Sequence, residues 1–346
     1  MVIGGVRIGP GEPCFVIAEA GVNHNGDLAL ARELVTAAAG AGADAVKFQA
    51  FHADAVAAPG APKAAYQEAA TGGGGSQLEL LRALELGADA LGELKALAEE
   101  HGLVFLASAF DESSVAALDE LGLAAFKVGS GEITNHPLLG DIGARGRPVI
   151  LSTGTADLDE VVRAVEVLRT AGATDVVVLH CTTAYPADAS EANLRALATL
   201  RERLGVAVGY SDHTTGDEVA LAAVALGACV LEKHFTLDRT LAGPDHRASL
   251  EPDELARLVE RVRRVEAALG DGVKRPTASE RETAAVVRRS LAAADDLAAG
   301  SVLTRAMLTS LRPGTGISPE RIDEVVGRKL RRDFARHELL DPAELE

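Results

Sequence analysis

Two histidines stand where a metal could be held. His213 and His234 each follow a short apolar run, VAVGY (206–210) and ACVLE (228–232). A lone histidine is more often structural than ligating. Two at equivalent places, with Asp212 and Glu232 beside them, suit a catalytic divalent ion such as Mn²⁺ with open coordination positions. Such an ion polarises an aldehyde or activates water. Lys47 and Lys127 lie inside apolar runs, DAVKF (44–48) and AAFKV (124–128). Lys47 by itself reads as a snorkelling surface residue. Two strand-embedded lysines, with Ser108, Ser130, Ser152 and the glycines of VGSGE and STGT nearby, instead read as a site for a small dianion or trianion. Glu19, Glu132 and Glu232 also close apolar runs, as proton carriers or as holders of the ion or its water. Gln49, Thr183, Tyr185 and Ser211 complete this set of polar side chains.

The elements that would position them repeat along the chain. Eight β-rich runs, CFVIA (14–18), DAVKF (44–48), LVFLA (103–107), AAFKV (124–128), PVILS (148–152), DVVVLH (175–180), VAVGY (206–210) and ACVLE (228–232), alternate with Ala/Leu segments of helical period. Alternation of this kind requires a parallel sheet, because each crossover helix returns the chain to the same end. An open doubly wound sheet would want a GxGxxG turn after its first strand, and Glu19-Ala20-Gly21-Val22-Asn23-His24 is not one. A (β/α)₈ TIM barrel over residues 1–270 is therefore expected, with its active site at the carboxyl ends of the strands. Residues 50–78, which contain Gly72-Gly73-Gly74-Gly75, read either as a loop at the catalytic face or as a disordered surface insertion. Residues 271–284 read as a polar linker. Residues 285–346 read as a small β-rich domain, near the lower size limit for folding alone.

Composition narrows the partners. Hydrophobic residues make up 47% of the 346, enough for a sizeable core. A net charge of −17 opposes binding of nucleic acid, and a small anionic substrate would need local cations. Cys14, Cys181 and Cys229 are odd in number and lack CxxC spacing, so buried reduced thiols are expected. No signal peptide and no membrane-length apolar stretch is evident, and a cytoplasmic protein is expected.

The segments IAEAGVNHNGD (17–27), KFQ (47–49), FKVGSGEITN (126–135), LSTG (151–154), LHCTTAYPA (179–187), GYSDHTTG (209–216), LEKHFTLDR (231–239) and GPDHRASLEP (243–252) together resemble the N-acylneuraminate synthase family. The run ending in LRPGTGI (311–317) resembles that family's antifreeze-like, or SAF, domain. The resemblance implies condensation of phosphoenolpyruvate with an open-chain N-acylmannosamine to a nine-carbon 2-keto acid and phosphate. Legionaminate synthesis from a 6-deoxy diacetamido sugar, or condensation with mannose, is the alternative. It also implies that His213 and His234 hold the metal, Mn²⁺ before Mg²⁺ or Co²⁺. Lys47, Ser108, Lys127, Ser130, Ser152, Thr183 and Ser211 would bind phosphoenolpyruvate, and Glu19 and Glu132 would stand at the reacting atoms. Gln49, Tyr185 and Asp245 would contact the sugar. Arg312 would reach the partner's sugar from the small domain, in a swapped homodimer. Ala184 departs from the Asn or Glu that many relatives carry, and Ser108-Ala109 from a Thr-Pro pair.

Overall fold

The computed structural model describes residues 1–346 and divides into two compact units, Met1–Gly270 and Asp271–Glu346. In the first, a two-stranded hairpin, β1 (Val2–Ile3) and β2 (Val6–Arg7), precedes the barrel strands. These are β3 (Phe15–Gly21), β4 (Ala45–Ala50), β5 (Val104–Ala109), β6 (Phe126–Val128), β7 (Val149–Ser152), β8 (Val176–Cys181), β9 (Ala207–Asp212) and β10 (Val230–His234). They pair in parallel and in sequence order, and β10 closes on β3, so the expected eight-stranded barrel is the fold.

Between them run α1 (Leu28–Gly40), α2 (Ala53–Val56), α3 (Ala65–Thr71), α4 (Gln77–Leu84), α5 (Ala88–Glu100), α6 (Glu112–Glu120), α7 (His136–Ala144), α8 (Leu158–Ala171), α9 (Ala196–Leu204) and α10 (Glu218–Ala225). The unit ends with α11 (Pro252–Leu269). Local chemistry starts these helices where the sequence says it should. The side chain of Asp27 accepts a hydrogen bond from the N–H of Ala29 ahead of α1, and Asp157 forms a capping box with Glu160 ahead of α8.

Strand side chains alternate between the two faces of the sheet, and this alternation builds the site. Phe15, Ile17, Ala45, Leu106, Ala125, Ile150, Val177, Leu179 and Val230 form one interior cluster, joined by Ile3 and Ile8 from the β1–β2 hairpin and its exit. The hairpin thus plugs the amino end of the barrel. Two residues further along the same strands come Glu19, Lys47, Ser108, Lys127, Ser152, Cys181 and Glu232, on the same inward face and one layer higher. The other parity packs against the helices: Val16, Ala18, Val46, Phe48, Phe105, Leu151 and Val208 join Leu34, Leu94, Leu139, Val165 and Leu258 in the main core.

The excursion between β4 and β5 holds three helices, α2, α3 and α4, so it is neither an unstructured insertion nor a bare loop. The glycine run stays outside them, as do residues 57–64, and Gly72, Gly74 and Gly75 are at positive φ. In the second unit, α12 (Ala278–Val287) occupies part of the stretch read as a linker, because Thr277 and Glu280 form a capping box. There β11 (Ser290–Ala293) pairs antiparallel with β12 (Leu308–Leu311), followed by the short α13 (Ile322–Val325). Leu291, Leu297, Leu303, Ile317, Leu330 and Phe334 belong to a separate core.

Candidate active site

The inward polar layer forms the floor of one cavity at the carboxyl end of the barrel. Register sets its neighbours: Glu19 pairs with Lys47, Ser108 with Lys127, and Ser211 with Glu232 across adjacent strands. The Lys47 Nζ lies 2.7 Å from Glu19 Oε2 and 3.8 Å from Glu232 Oε2, and donates to Ser108 Oγ at 3.0 Å. The Lys127 Nζ donates to Ser152 Oγ at 2.7 Å and lies 3.6 Å from Glu232 Oε1, which also accepts from Ser211 Oγ at 3.0 Å. All four charged side chains are almost wholly buried.

Burial pushes the Glu19 carboxyl up to about 7, against the pull of Lys47. Burial also raises Glu232, but there Lys127, Lys47 and the Ser211 hydroxyl outweigh it and hold the carboxyl below its ordinary value. Two carboxylates near the same ammonium groups are thus split, Glu19 holding a proton near neutrality and Glu232 ionised. Burial lowers the Lys127 ammonium; for Lys47, Glu19 and Glu232 outweigh burial and raise it.

The imidazoles stand above this floor. The rings of His213 and His234 have centroids 5.3 Å apart, and Tyr185 packs against both, at 4.2 Å and 5.6 Å. The Thr182 carbonyl can only accept, so His213 Nδ1 donates to it at 2.8 Å, which leaves Nε2 as the nitrogen that would face an ion once the ring is neutral. The Nδ1 of His234 is buried without a hydrogen-bond partner, and Asp245 Oδ2 is 3.9 Å away. Burial first and His213 second hold His234 well below its ordinary pKa, which keeps it neutral. Burial pushes Asp245 up to about 6. One fixed tautomer and one orphaned ring nitrogen fit a divalent ion with two protein nitrogens. No group of three His, Cys, Asp or Glu side chains is arranged to hold a metal, so other ligands would have to come from solvent or substrate.

Of the residues singled out in the sequence, Glu19, Lys47, Gln49, Ser108, Lys127, Ser130, Ser152, Thr183, Tyr185, Ser211, His213, His234 and Asp245 all line this cavity. Glu132 does not: its Oε2 accepts from Asn135 Nδ2 at 2.7 Å beside a short 3₁₀ turn. Arg312 belongs to the second unit, where it is exposed. Asp212, read as a neighbour of the metal, faces outward and binds Lys233 at 2.6 Å.

Two features, Cys181 and Tyr66, escaped the sequence reading, and a third, Gly154 of the STGT run, has a packing role beyond the one read for it. Cys181 is not an inert core thiol but a cavity residue, 3.8 Å from His213 Nδ1 and 3.7 Å from Ser130 Oγ. Strand alternation from Val177 and Leu179 could have placed it inward. Gly154 leaves room that a side chain would take: a Cβ there would meet Thr183 Oγ1 at 1.9 Å and Ser130 Oγ at 2.9 Å, and its N–H already donates to that Ser130 oxygen. Tyr66 enters the cavity from α3; an aromatic within the excursion of a chain with 3% aromatics was the available signal.

Comparison with known proteins agrees with this geometry. Residues 34–274 match the model of the NeuB family and residues 288–346 that of the SAF domain. An N,N'-diacetyllegionaminic acid synthase of Campylobacter jejuni is 47% identical over 94% of this chain and 98% of its own length. A human N-acetylneuraminate-9-phosphate synthase is 39% identical over 93% of this chain and 90% of its own. The crystal structure of an N-acetylneuraminic acid (sialic acid) synthetase from Leptospira borgpetersenii, in complex with citrate, superposes with a TM-score of 0.73. That structure is 38% identical and covers 82% of this chain and 94% of its own. The chain belongs to the NeuB family, its barrel followed by a SAF domain.

Proposed function

We propose that this phosphoenolpyruvate-dependent nonulosonate synthase takes a neutral 6-deoxy diacetamido sugar in open-chain form and makes a legionaminate-type 2-keto acid. The chemistry rests on one observation: two ammonium groups, a split pair of carboxyls and two imidazoles converge on a single cavity. The choice of sugar rests on the 47% identity to the legionaminic acid synthase against 39% to the neuraminate-9-phosphate synthase. The cavity supports a neutral sugar as well. Its basic side chains are Lys47, Lys127, His213 and His234, the lysines assigned to enol phosphate and the imidazoles to the ion, while Tyr66, Gln67, Leu80 and Leu81 carry no charge. A phosphorylated sugar would bring a second dianion with no further cation among the side chains that line this cavity. N-acetylmannosamine, the first expectation from the sequence, becomes the second reading.

Lys47 and Lys127, with the hydroxyls of Ser108, Ser130, Ser152 and Ser211, grip the phosphate and carboxylate of phosphoenolpyruvate. With Glu19 protonated and Glu232 ionised, the floor carries an excess positive charge before the trianion enters, although the protein as a whole is acidic. The methylene carbon then attacks the aldehyde carbon, and the Glu19 proton is placed to neutralise the oxygen that becomes a hydroxyl. Gln49, whose Nε2 lies 3.4 Å from Glu19 Oε1, orients that carboxyl. A divalent ion of the Mn²⁺ type on His213 and His234 would polarise the aldehyde. Water adds at the carbon bearing phosphate, and phosphate leaves with C–O cleavage. Arg312 would contact the N-acyl end of a sugar held by a second subunit, in a swapped homodimer. The buried free thiols Cys14, Cys181 and Cys229 accord with a reducing, cytoplasmic setting, and no helix is long and apolar enough to cross a membrane.

The test is a sugar panel scored by phosphate release and product mass. A 2,4-diacetamido-6-deoxy sugar should exceed N-acetylmannosamine in kcat/KM by roughly tenfold or more, the scale on which a site discriminates substituents. N-acetylmannosamine 6-phosphate should be turned over least. A preference for the phosphorylated sugar would overturn the substrate; phosphate release without phosphoenolpyruvate would overturn the chemistry.

A further inference from the structure

We infer that Tyr66 is a specificity-determining residue of the sugar subsite, closing with Tyr185 an aromatic corner that receives a C–H face or N-acyl methyl group of the acylated sugar. This deepens the reading above and rests on it. The Tyr66 ring centroid lies 4.9 Å from that of Tyr185, which in turn lies 4.2 Å from His213. The aromatic pair therefore extends outward from the imidazoles that face the aldehyde. Both tyrosines line the cavity together with Asp245.

Core packing does not explain the position of Tyr66. No residue of α3 is fully buried, and the helix belongs to neither strand layer of the barrel. It is held instead by polar ties at its own ends. Lys63 Nζ donates to the Gly74 carbonyl at 2.7 Å and to Thr71 Oγ1 at 3.1 Å, and the Ala64 N–H donates to Gln67 Oε1 at 2.9 Å. The glycines that follow, with φ of 77° at Gly72, 110° at Gly74 and 73° at Gly75, give the backbone a path that brings α3 over the barrel mouth. The chain thus uses an otherwise coreless helix to deliver one aromatic ring to the sugar side. An aromatic face suits the C–H bonds and acetamido methyl groups of such a sugar, and the phenol adds a polar handle toward a hydroxyl or amide. Neither contact has anything to offer phosphoenolpyruvate, a small trianion that the lysines and serines already hold.

The experiment uses the full-length protein with Mn²⁺. Sugar KM is measured with a 2,4-diacetamido-6-deoxy sugar and with N-acetylmannosamine, and phosphoenolpyruvate Kd is measured separately by calorimetry without sugar. Y66A should raise the KM for the better sugar by about tenfold, the scale of one aromatic contact plus its buried area, while leaving the phosphoenolpyruvate Kd within about twofold. Y66F should keep KM within about threefold of wild type, because the ring rather than the hydroxyl carries most of the contact. Equal circular dichroism melting curves would establish that both variants fold, and a Y66A protein that fails to fold would itself overturn the inference, since it would make Tyr66 a structural residue. An unchanged sugar KM in a folded Y66A would overturn it alone, as would parallel losses of sugar and phosphoenolpyruvate affinity. Wild-type protein that turns over neither sugar would instead overturn the underlying function, and the inference with it.

Discussion

Glu19 and Glu232 share two ammonium groups yet sit on opposite sides of neutrality, and the difference is local. Glu232 lies 3.6 Å and 3.8 Å from two lysines and accepts from Ser211, whereas Glu19 has Lys47 as its one close ammonium partner. Ionising Glu19 removes the positive excess that a trianion meets on the floor. Phosphoenolpyruvate affinity should therefore hold below about pH 7 and weaken as pH rises through the Glu19 value, since it is the protonated form that binds. Calorimetric titration from pH 6 to 9 should show Kd rising about tenfold per unit on the alkaline side. In E19Q, which carries no titrating proton there, the same limb should be flat. A wild-type Kd that does not change over this range would sink the assignment of the proton to Glu19. At this scale the sequence disclosed which side chains gather, because lysines and histidines at the ends of apolar runs are conspicuous. It did not disclose the partners that set their charge. Cys181 read as one more buried thiol, and Glu132 as a proton carrier, because the direction of a side chain at a turn is fixed by hydrogen bonds such as Asn135 to Glu132 that spacing does not encode.

Strand parity does the work one level up. Lys47, Lys127 and Glu232 point into the barrel, while Lys233 and Asp212, of opposite parity on paired strands, meet outside it at 2.6 Å with 1% exposure each. The Lys233 Nζ also donates to the Thr214 carbonyl at 2.6 Å, and Asp212 Oδ1 accepts from the Thr214 N–H and hydroxyl. These ties span the residues flanking His213 and His234. K233M would leave the Asp212 carboxylate buried without its charge, at a cost of about 3–5 kcal/mol. Urea unfolding should register that loss, whereas a change below about 1 kcal/mol, the value of a surface pair, would show the pair to be solvated. Short β-rich apolar runs alternating with helical segments made all eight barrel strands legible, and the structure extends most of them toward the site by one to three residues. The two-residue strands of the amino-terminal hairpin were too short to register as a pattern; they are held by burial of Ile3 and Ile8 rather than by local propensity. The helices of the β4–β5 excursion were hidden behind the glycine run. Ser76 with Glu79, read as a helix start, would have exposed α4.

At the scale of the whole molecule, the two units have separate hydrophobic cores, and the cavity is lined entirely by residues of the first. If the second unit serves a partner's barrel through Arg312, a single chain lacks a complete sugar site and two defective chains can repair one another. R312A damages the arm of a subunit but leaves its barrel intact, and E19Q does the reverse. Each variant alone should be nearly inactive with sugar. A mixture exchanged at equal concentration should recover roughly a quarter of wild-type turnover, because about half of the dimers are mixed and each mixed dimer has one complete site. Linkage of Arg312 to its own barrel predicts no recovery at any ratio, since no chain in the mixture then carries both groups. Measuring turnover against total protein adds a second arm to the same experiment: specific activity should fall on dilution through the dimer dissociation range and return on addition of either variant's intact half.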